Sequence, residues 1–341
     1  MASQAVLKRK TRFVCISDTH NQRPKLPKGD VFIHAGDLSN QGSLSELRKT
    51  VEWIEGSDFD KKIVIAGNHD ITLDAAFYKE HGAYFHNQHP QDPAECLKLF
   101  TESSSITYLN HESTTVRLTS ADGPHTEFKV FGSPYSPKCG SWAFQYDSAD
   151  APKIWAAIPL DSDVVITHTP PKGHCDWTTN TRGPKEGCEM LRRALWRVRP
   201  SLAICGHVHG ARGVERVRWK LDMPRVKFME GKAEFWTDPG AGNQKQSLVN
   251  LTAKGGNPLD NNGLCKSSGK ANNVTFLPGD GASSEDTDFS QLETHDVEAL
   301  IGRMGRRETC IVNAAIMAPR QDVQVRFNKP IVIDIDLPVW V

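Results

Sequence analysis

Short, unbroken apolar runs recur along the chain, and most of them stop at a polar cluster of one kind. Residues 12–16 (RFVCI) lead into Ser17-Asp18-Thr19-His20, and residues 31–34 lead into Ala35-Gly36-Asp37. Residues 62–66 (KIVIA) lead into Gly67-Asn68-His69-Asp70, residues 164–167 into His168, and residues 202–205 into Gly206-His207-Val208-His209. Apolar character that is continuous rather than alternating predicts strands covered on both faces. Helical spacings lie between these runs. Leu44, Leu47, Val51 and Ile54 share one face over residues 43–55, and Ser43 with Glu46 makes a capping box at its start. Residues 149–157 predict a short helix. Residues 186–198, with Met190, Leu191, Leu195 and Val198 at helical spacing, predict another that stops before Pro200. Alternating strands and helices predict an α/β domain. Residues 116–118 and 128–131 predict a hairpin around Asp122-Gly123-Pro124, and residues 310–316 and 331–335 read as late strands.

Composition narrows the classes. The chain has 341 residues, and its 41 Lys+Arg balance 41 Asp+Glu. A protein that holds nucleic acid by phosphate neutralisation is usually basic, so no polynucleotide partner is expected. No apolar run approaches a spanning helix, and no secretory leader is legible, so neither a membrane nor a secreted location is expected. Eight cysteines without a CxxC pair predict reduced thiols in a cytoplasmic protein and no thiolate zinc site. The length allows one large domain or two small ones. The pattern reads as one domain over 1–341, with a Gly/Asn/Ser/Asp-rich insertion at about 253–308. That stretch serves equally as a surface loop or a lid.

The chemistry collects where the strands end. Asp18 and His20 sit two apart, so an extended chain turns both the same way, and His207 and His209 repeat that geometry. Asp37, Asn68 and His168 each follow a separate run. If these strands share one sheet, their carboxyl ends meet at one edge, where ligands bind in open α/β sheets. Seven O/N donors exceed what one cation needs and divide between two if Asp37 bridges them. Imidazole, carboxylate and amide donors without thiolate suit manganese, iron or zinc in a catalytic site. Two divalent cations, two aspartates and a bridging hydroxide sum to about +1, which favours an anionic, phosphate-containing substrate. Any one of these residues alone reads equally well as a solvated or hydrogen-bonded group.

In order, these clusters resemble the motifs D-x-H, G-D, G-N-H-[DE], H and G-H-x-H of the calcineurin-like metallophosphoesterases. Asp18-Thr19-His20, Gly36-Asp37, Gly67-Asn68-His69-Asp70, His168 and Gly206-His207-Val208-His209 complete all five. Gly132-Ser133-Pro134, residues 167–171 (THTPP), Asp176-Trp177, residues 197–200 (RVRP), Asn313-Ala314-Ala315 and Lys329-Pro330 look like a narrower branch, the metallophosphoesterase-domain proteins of vertebrates and their fungal relatives. The resemblance implies a four-layer α/β/β/α sandwich. It implies that Asp18, His20, Asp37 and His209 hold one metal, and that Asp37, Asn68, His168 and His207 hold the second. It gives His69 the part of acid or charge stabiliser, with Asp70 orienting His69 or a ligand, and it implies a phosphodiesterase acting on a nucleotide-like diester. Two other readings stay open. The same dinuclear site could serve hydrolysis or elimination on a non-phosphate substrate in a biosynthetic pathway, or the protein could be a nucleotide-binding scaffold with weak turnover. Tyr135, Trp142, His174 and Trp177 read first as loop packing, and otherwise as candidates to stack a substrate ring. Arg182 and Lys185 read as solvated loop charges, with contact to a phosphate as the alternative. His34 is expected to pack behind the site.

Overall fold

The computed structural model describes residues 6–177, 186–221, 227–261, 305–318 and 327–340. In chain order its strands are β1 (Lys8–Ile16), β2 (Val31–Ala35), β3 (Lys61–Ile65), β4 (Ile106–Tyr108), β5 (Glu112–Arg117), β6 (Glu127–Ser133), β7 (Ser136–Pro137), β8 (Gln145–Tyr146), β9 (Val164–Thr167), β10 (Leu202–Cys205), β11 (Gly213–Trp219), β12 (Glu230–Phe235), β13 (Ser247–Leu251), β14 (Glu308–Asn313) and β15 (Ile331–Pro338). The helices are α1 (Leu44–Glu55), α2 (Ala75–Phe85), α3 (Pro93–Thr101), α4 (Ala151–Ala156) and α5 (Glu189–Val198).

Two sheets carry the molecule, in the orders β13-β15-β1-β2-β3-β4 and β12-β11-β14-β10-β9-β6-β5. The site-bearing strands run parallel within each sheet: β1, β2 and β3 in the first, β9 and β10 in the second. The condition that all five runs share one sheet is therefore corrected. They divide between two sheets, and the carboxyl ends of both face one rim.

Alternation along each strand explains the layers. Phe13, Cys15, Ile33, Ala35, Ile63 and Ile65 point into a core between the sheets, against Val164, Ile166, Leu202, Ile204, Cys310 and Val312. The residues between them point the other way. Ile16, Phe32 and Val64 meet Leu47, Val51 and Ile54 of α1 and Cys96 and Phe100 of α3. Val165, Ala203 and Ile311 meet Trp155 of α4 and Leu191, Leu195 and Trp196 of α5. Covering both faces of both sheets gives the expected α/β/β/α sandwich and removes the polar alternation of a half-exposed strand. Each fully buried aliphatic or aromatic side chain contributes about 1.5–3 kcal/mol.

Helix α1 starts where its capping box predicts: Ser43 accepts from Glu46 N, and the Glu46 carboxylate accepts from Ser43 N. Helix α5 starts later than expected, at Glu189, because residues 187 and 188 bond back to Asp176 and Pro170. The 310–316 run is strand only to Asn313, where the chain leaves the second sheet and crosses to the first. Residues 262–304 of the 253–308 insertion lie outside the described residues, as do Arg182 and Lys185. Among the described residues, no helix is long and apolar enough to cross a membrane.

Candidate metal centre

The loops after β1 and β2 are bonded to each other: Asp18 N donates to Gly36 O at 2.9 Å, and His20 N to Asp37 O at 3.1 Å. Asp18, His20, Asp37 and His207 all take left-handed backbone, with φ of 52°, 42°, 55° and 67°. That conformation costs roughly 1–2 kcal/mol for a residue with a Cβ, so four such residues at one rim mark a place where geometry outweighs local preference. Glycines make room beside them. A methyl on Gly206 would overlap Asp18 Oδ2 and Ser17 Oγ, and one on Gly67 would overlap Asp37 N and Oδ1.

The donors converge. Ligand atoms of Asp18, His20, Asp37 and His209 all lie within 4.8 Å of one another. His20 Nε2 stands 3.2 Å from His209 Nε2 and 3.6 Å from Asp37 Oδ2. His209 Nε2 is 3.4 Å from Asp18 Oδ1. The other Asp37 oxygen, Oδ1, is 3.4 Å from His168 Nε2, which also lies 2.9 Å from Asn68 Oδ1. The His207 ring packs against the His168 ring with centroids 4.9 Å apart. Asp37 thus turns one oxygen toward the His20 side and one toward the His168 side. All seven predicted ligands meet at this rim.

Backbone carbonyls orient the rings. His20 Nδ1 lies 3.2 Å from Ser39 O, and His168 Nδ1 lies 3.0 Å from Ala35 O. A proton on each Nδ1 satisfies those carbonyls and leaves Nε2 facing the cluster as the donor atom. Burial pushes the Asp18 carboxyl up, but the hydrogen bond and charge of His209 outweigh it and hold it at about 2. Burial likewise works against Asp37, yet His168 and His20 hold its carboxyl well below the usual range. Burial lowers His168 too, and Asp37 outweighs it to lift the imidazole to about 9. Burial pushes His207 down to about 4. Two buried carboxylates facing four imidazoles are balanced either by protons on the rings or by cations between them. The donor set therefore fits divalent metals.

His69 and Asp70 part company. His69 N donates to Asp37 Oδ1 at 2.9 Å, its Nδ1 lies 2.8 Å from Asn40 O, and its ring meets His20 and Trp142 at 4.7 and 3.9 Å. Asp70 is fully buried and accepts from Leu38 N, Ser39 N, Ser39 Oγ and Gly67 N. Burial and the nearby Asp37 charge push its carboxyl up to about 6. It ties the loop after Asp37 to the turn before Asn68, which makes it a positioning residue and leaves the reacting groups to others.

Of the four aromatic candidates, Trp142 touches His69 directly. Tyr135 packs among His111, Phe144 and Tyr146. Trp177 stacks on Phe235 at 5.8 Å. His174 is packed into the fold: it is buried and lies against two carboxylates, Glu215 Oε2 at 2.8 Å and Glu230 Oε1 at 3.1 Å. His34 packs behind the site as expected, with Nε2 2.9 Å from Thr19 Oγ1. Sequence reasoning missed Ser17, whose hydroxyl donates to Asp18 Oδ2 at 2.5 Å, although its place beside Asp18 was a usable signal. It also missed the carbonyls of Ala35, Ser39 and Asn40, which no side chain announces.

A family model described as calcineurin-like phosphoesterase matches residues 11–211. The chain is 36% identical over 212 residues to metallophosphoesterase domain-containing protein 1 of Homo sapiens, covering 60% of this chain and 62% of that protein. It is 40% identical over 228 residues to a protein of Emericella nidulans named probable rhamnogalacturonate lyase C, covering 66% of this chain and 20% of that protein. The structure of TT1561 of Thermus thermophilus aligns with a TM-score of 0.36 at 12% identity, covering 58% of this chain and 82% of that one. With the family match running from β1 through the last histidine cluster, the chain belongs to the calcineurin-like phosphoesterase family.

Proposed function

We propose that the protein is a dinuclear phosphodiesterase. Asp18, His20, Asp37 and His209 would hold one divalent metal, and Asp37, Asn68, His168 and His207 the second. Manganese is the first candidate, with iron or zinc as alternatives. The observation that carries the reading is the split presentation of Asp37, with Oδ2 toward His20 and Oδ1 toward His168. Two such cations would supply Lewis acidity toward a phosphoryl oxygen and toward water near neutral pH.

The chain's own residues do the rest. The clustered donors would fix the two cations, and with them the positive charge, where an anionic phosphoryl group binds. The Asn40 carbonyl holds Nδ1–H of His69, so in the imidazolium form Nε2–H is the group left to give its proton to the departing oxygen, and the neutral ring remains. Trp142 stacks on that ring and restricts its rotation. The diester preference, and a nucleotide-like leaving group, follow from the family resemblance.

Purified protein should carry two transition metals per chain and hydrolyse an aryl phosphodiester in manganese buffer. Asp37→Ala should lose both metals and turnover. Full activity after metal stripping, or two metals retained by Asp37→Ala, would overturn the mechanism.

A further inference from the structure

We propose that Asn313 is a positioning residue of the metal centre, lying about a hundred residues beyond the last metal-ligand motif and outside the 11–211 family match. It ends β14 and is fully buried. Its Nδ2 donates to three carbonyls: Cys175 O at 3.1 Å, Gly206 O at 3.3 Å and Val208 O at 3.0 Å. Its Oδ1 accepts from Ala315 N at 3.1 Å, which leaves the amide no freedom to flip.

The peptide geometry turns these bonds into a relay. Gly206 C=O and His207 N–H belong to one planar trans peptide, so they point in opposite directions. Holding the carbonyl on the Asn313 side aims the N–H at the Asp18 carboxylate, which accepts it at 2.9 and 3.0 Å. Val208 O belongs to the next peptide but one, the plane that leads into His209. One amide therefore fixes the plane that leads into His207, whose backbone is left-handed with φ 67°, and the plane that leads into His209. The residues after it grip the other loop. Ala314 N donates to Cys205 O at 2.9 Å, Ser17 N to Ala314 O at 3.0 Å, and Ile316 N to Ser17 O at 2.9 Å. The crossover at residues 313–316 thus bonds the residue before Asp18 and the residues flanking His207 at once.

The inference rests on the metal-binding part of the proposed function, and its test separates the two. Asn313→Ala is compared with Thr309→Val, which removes a buried hydrogen bond to Trp219 from the same strand but away from the rim. Manganese binding to stripped protein is measured by calorimetry. Hydrogen exchange of the peptide spanning residues 205–209 is followed in metal-free protein. Asn313→Ala should weaken manganese binding by about 10–100-fold, the usual effect of removing a group that orients a ligand. It should also speed exchange at His207 at least tenfold, while Thr309→Val changes neither. Asn313→Ser keeps one donor, should fall between, and carries the test if the alanine variant does not fold. Binding and exchange within twofold of the parent, or a loss matched by Thr309→Val at equal thermal destabilisation, would overturn the proposal. If the parent protein itself binds no manganese, the metal reading fails, while the exchange measurement still decides whether Asn313 fixes the His207 peptide.

Discussion

The His69 imidazole is half-buried between the His20 and Trp142 rings, while its neighbour Asp70 faces the opposite way into backbone N–H groups. One residue of difference along the chain thus separates a group that can meet substrate from one that holds the loops. His69→Asn keeps a short polar side chain but removes the proton donor. It should lower kcat by about 10²–10⁴-fold, the range for losing a general acid, with manganese stoichiometry unchanged in calorimetry. A parallel loss of metal would show that His69 belongs to the ligand set instead. Residue identities at the site were legible because every ligand follows the end of a strand within one to four positions. What the residues alone left open was direction: which ring nitrogen faces inward is set by the carbonyls of Ala35 and Ser39, and every residue has a carbonyl.

At the scale of elements, the loop that carries His174 is locked to β11 and β12. Glu215 of β11 also accepts from Cys175 N at 2.8 Å, so a single carboxylate clamps two successive residues. Burial alone would lower His174, but its bonds to Glu215 and Glu230 outweigh it and raise the imidazole to about 9. The folded value lies above the unfolded one of roughly 6.5. The stabilisation is therefore fully present below pH 6.5 and disappears as pH rises through about 9. It amounts to about 3 kcal/mol. Urea midpoints at pH 6 and pH 9.5 should differ more for the parent than for His174→Asn, and equal slopes in the two would remove His174 from the account. Legibility varied among elements for a physical reason. Helix α1 shows both a cap and an apolar stripe, whereas α2 fully buries only Gly82 and so displays no period. Strand β12 (EGKAEF) is mostly exposed and polar, with nothing to mark it as a strand except its pairing with β11.

For the whole molecule, the candidate metal centre spans the rim where two sheets meet, so cations there would bond loops from both. Asp18, His20, Asp37 and Asn68 come from the first sheet's strand ends, and His168, His207 and His209 from the second's. A ligand that binds only the folded state stabilises it by about 2.7 kcal/mol at a hundred times its Kd. Manganese added to stripped protein should raise Tm by several degrees, a chelator should reverse the shift, and Asp37→Ala should show none. An unchanged Tm in the parent would mean that the two sheets are not joined through bound metal.

The sequence by itself determined the strand ends, the residue types placed there and the covering of both strand faces, because each of these is set within a few residues of chain. Only the tertiary structure decided that the five runs divide between two sheets, that Asp37 faces both halves of the cluster, and that His174 is paired with Glu215 and Glu230. It also decided that the residues after Asn313 carry the chain from one sheet to the other beneath the site. These outcomes depend on partners far apart in the chain, brought together by strand order and register, and no local pattern of apolar and polar residues encodes them.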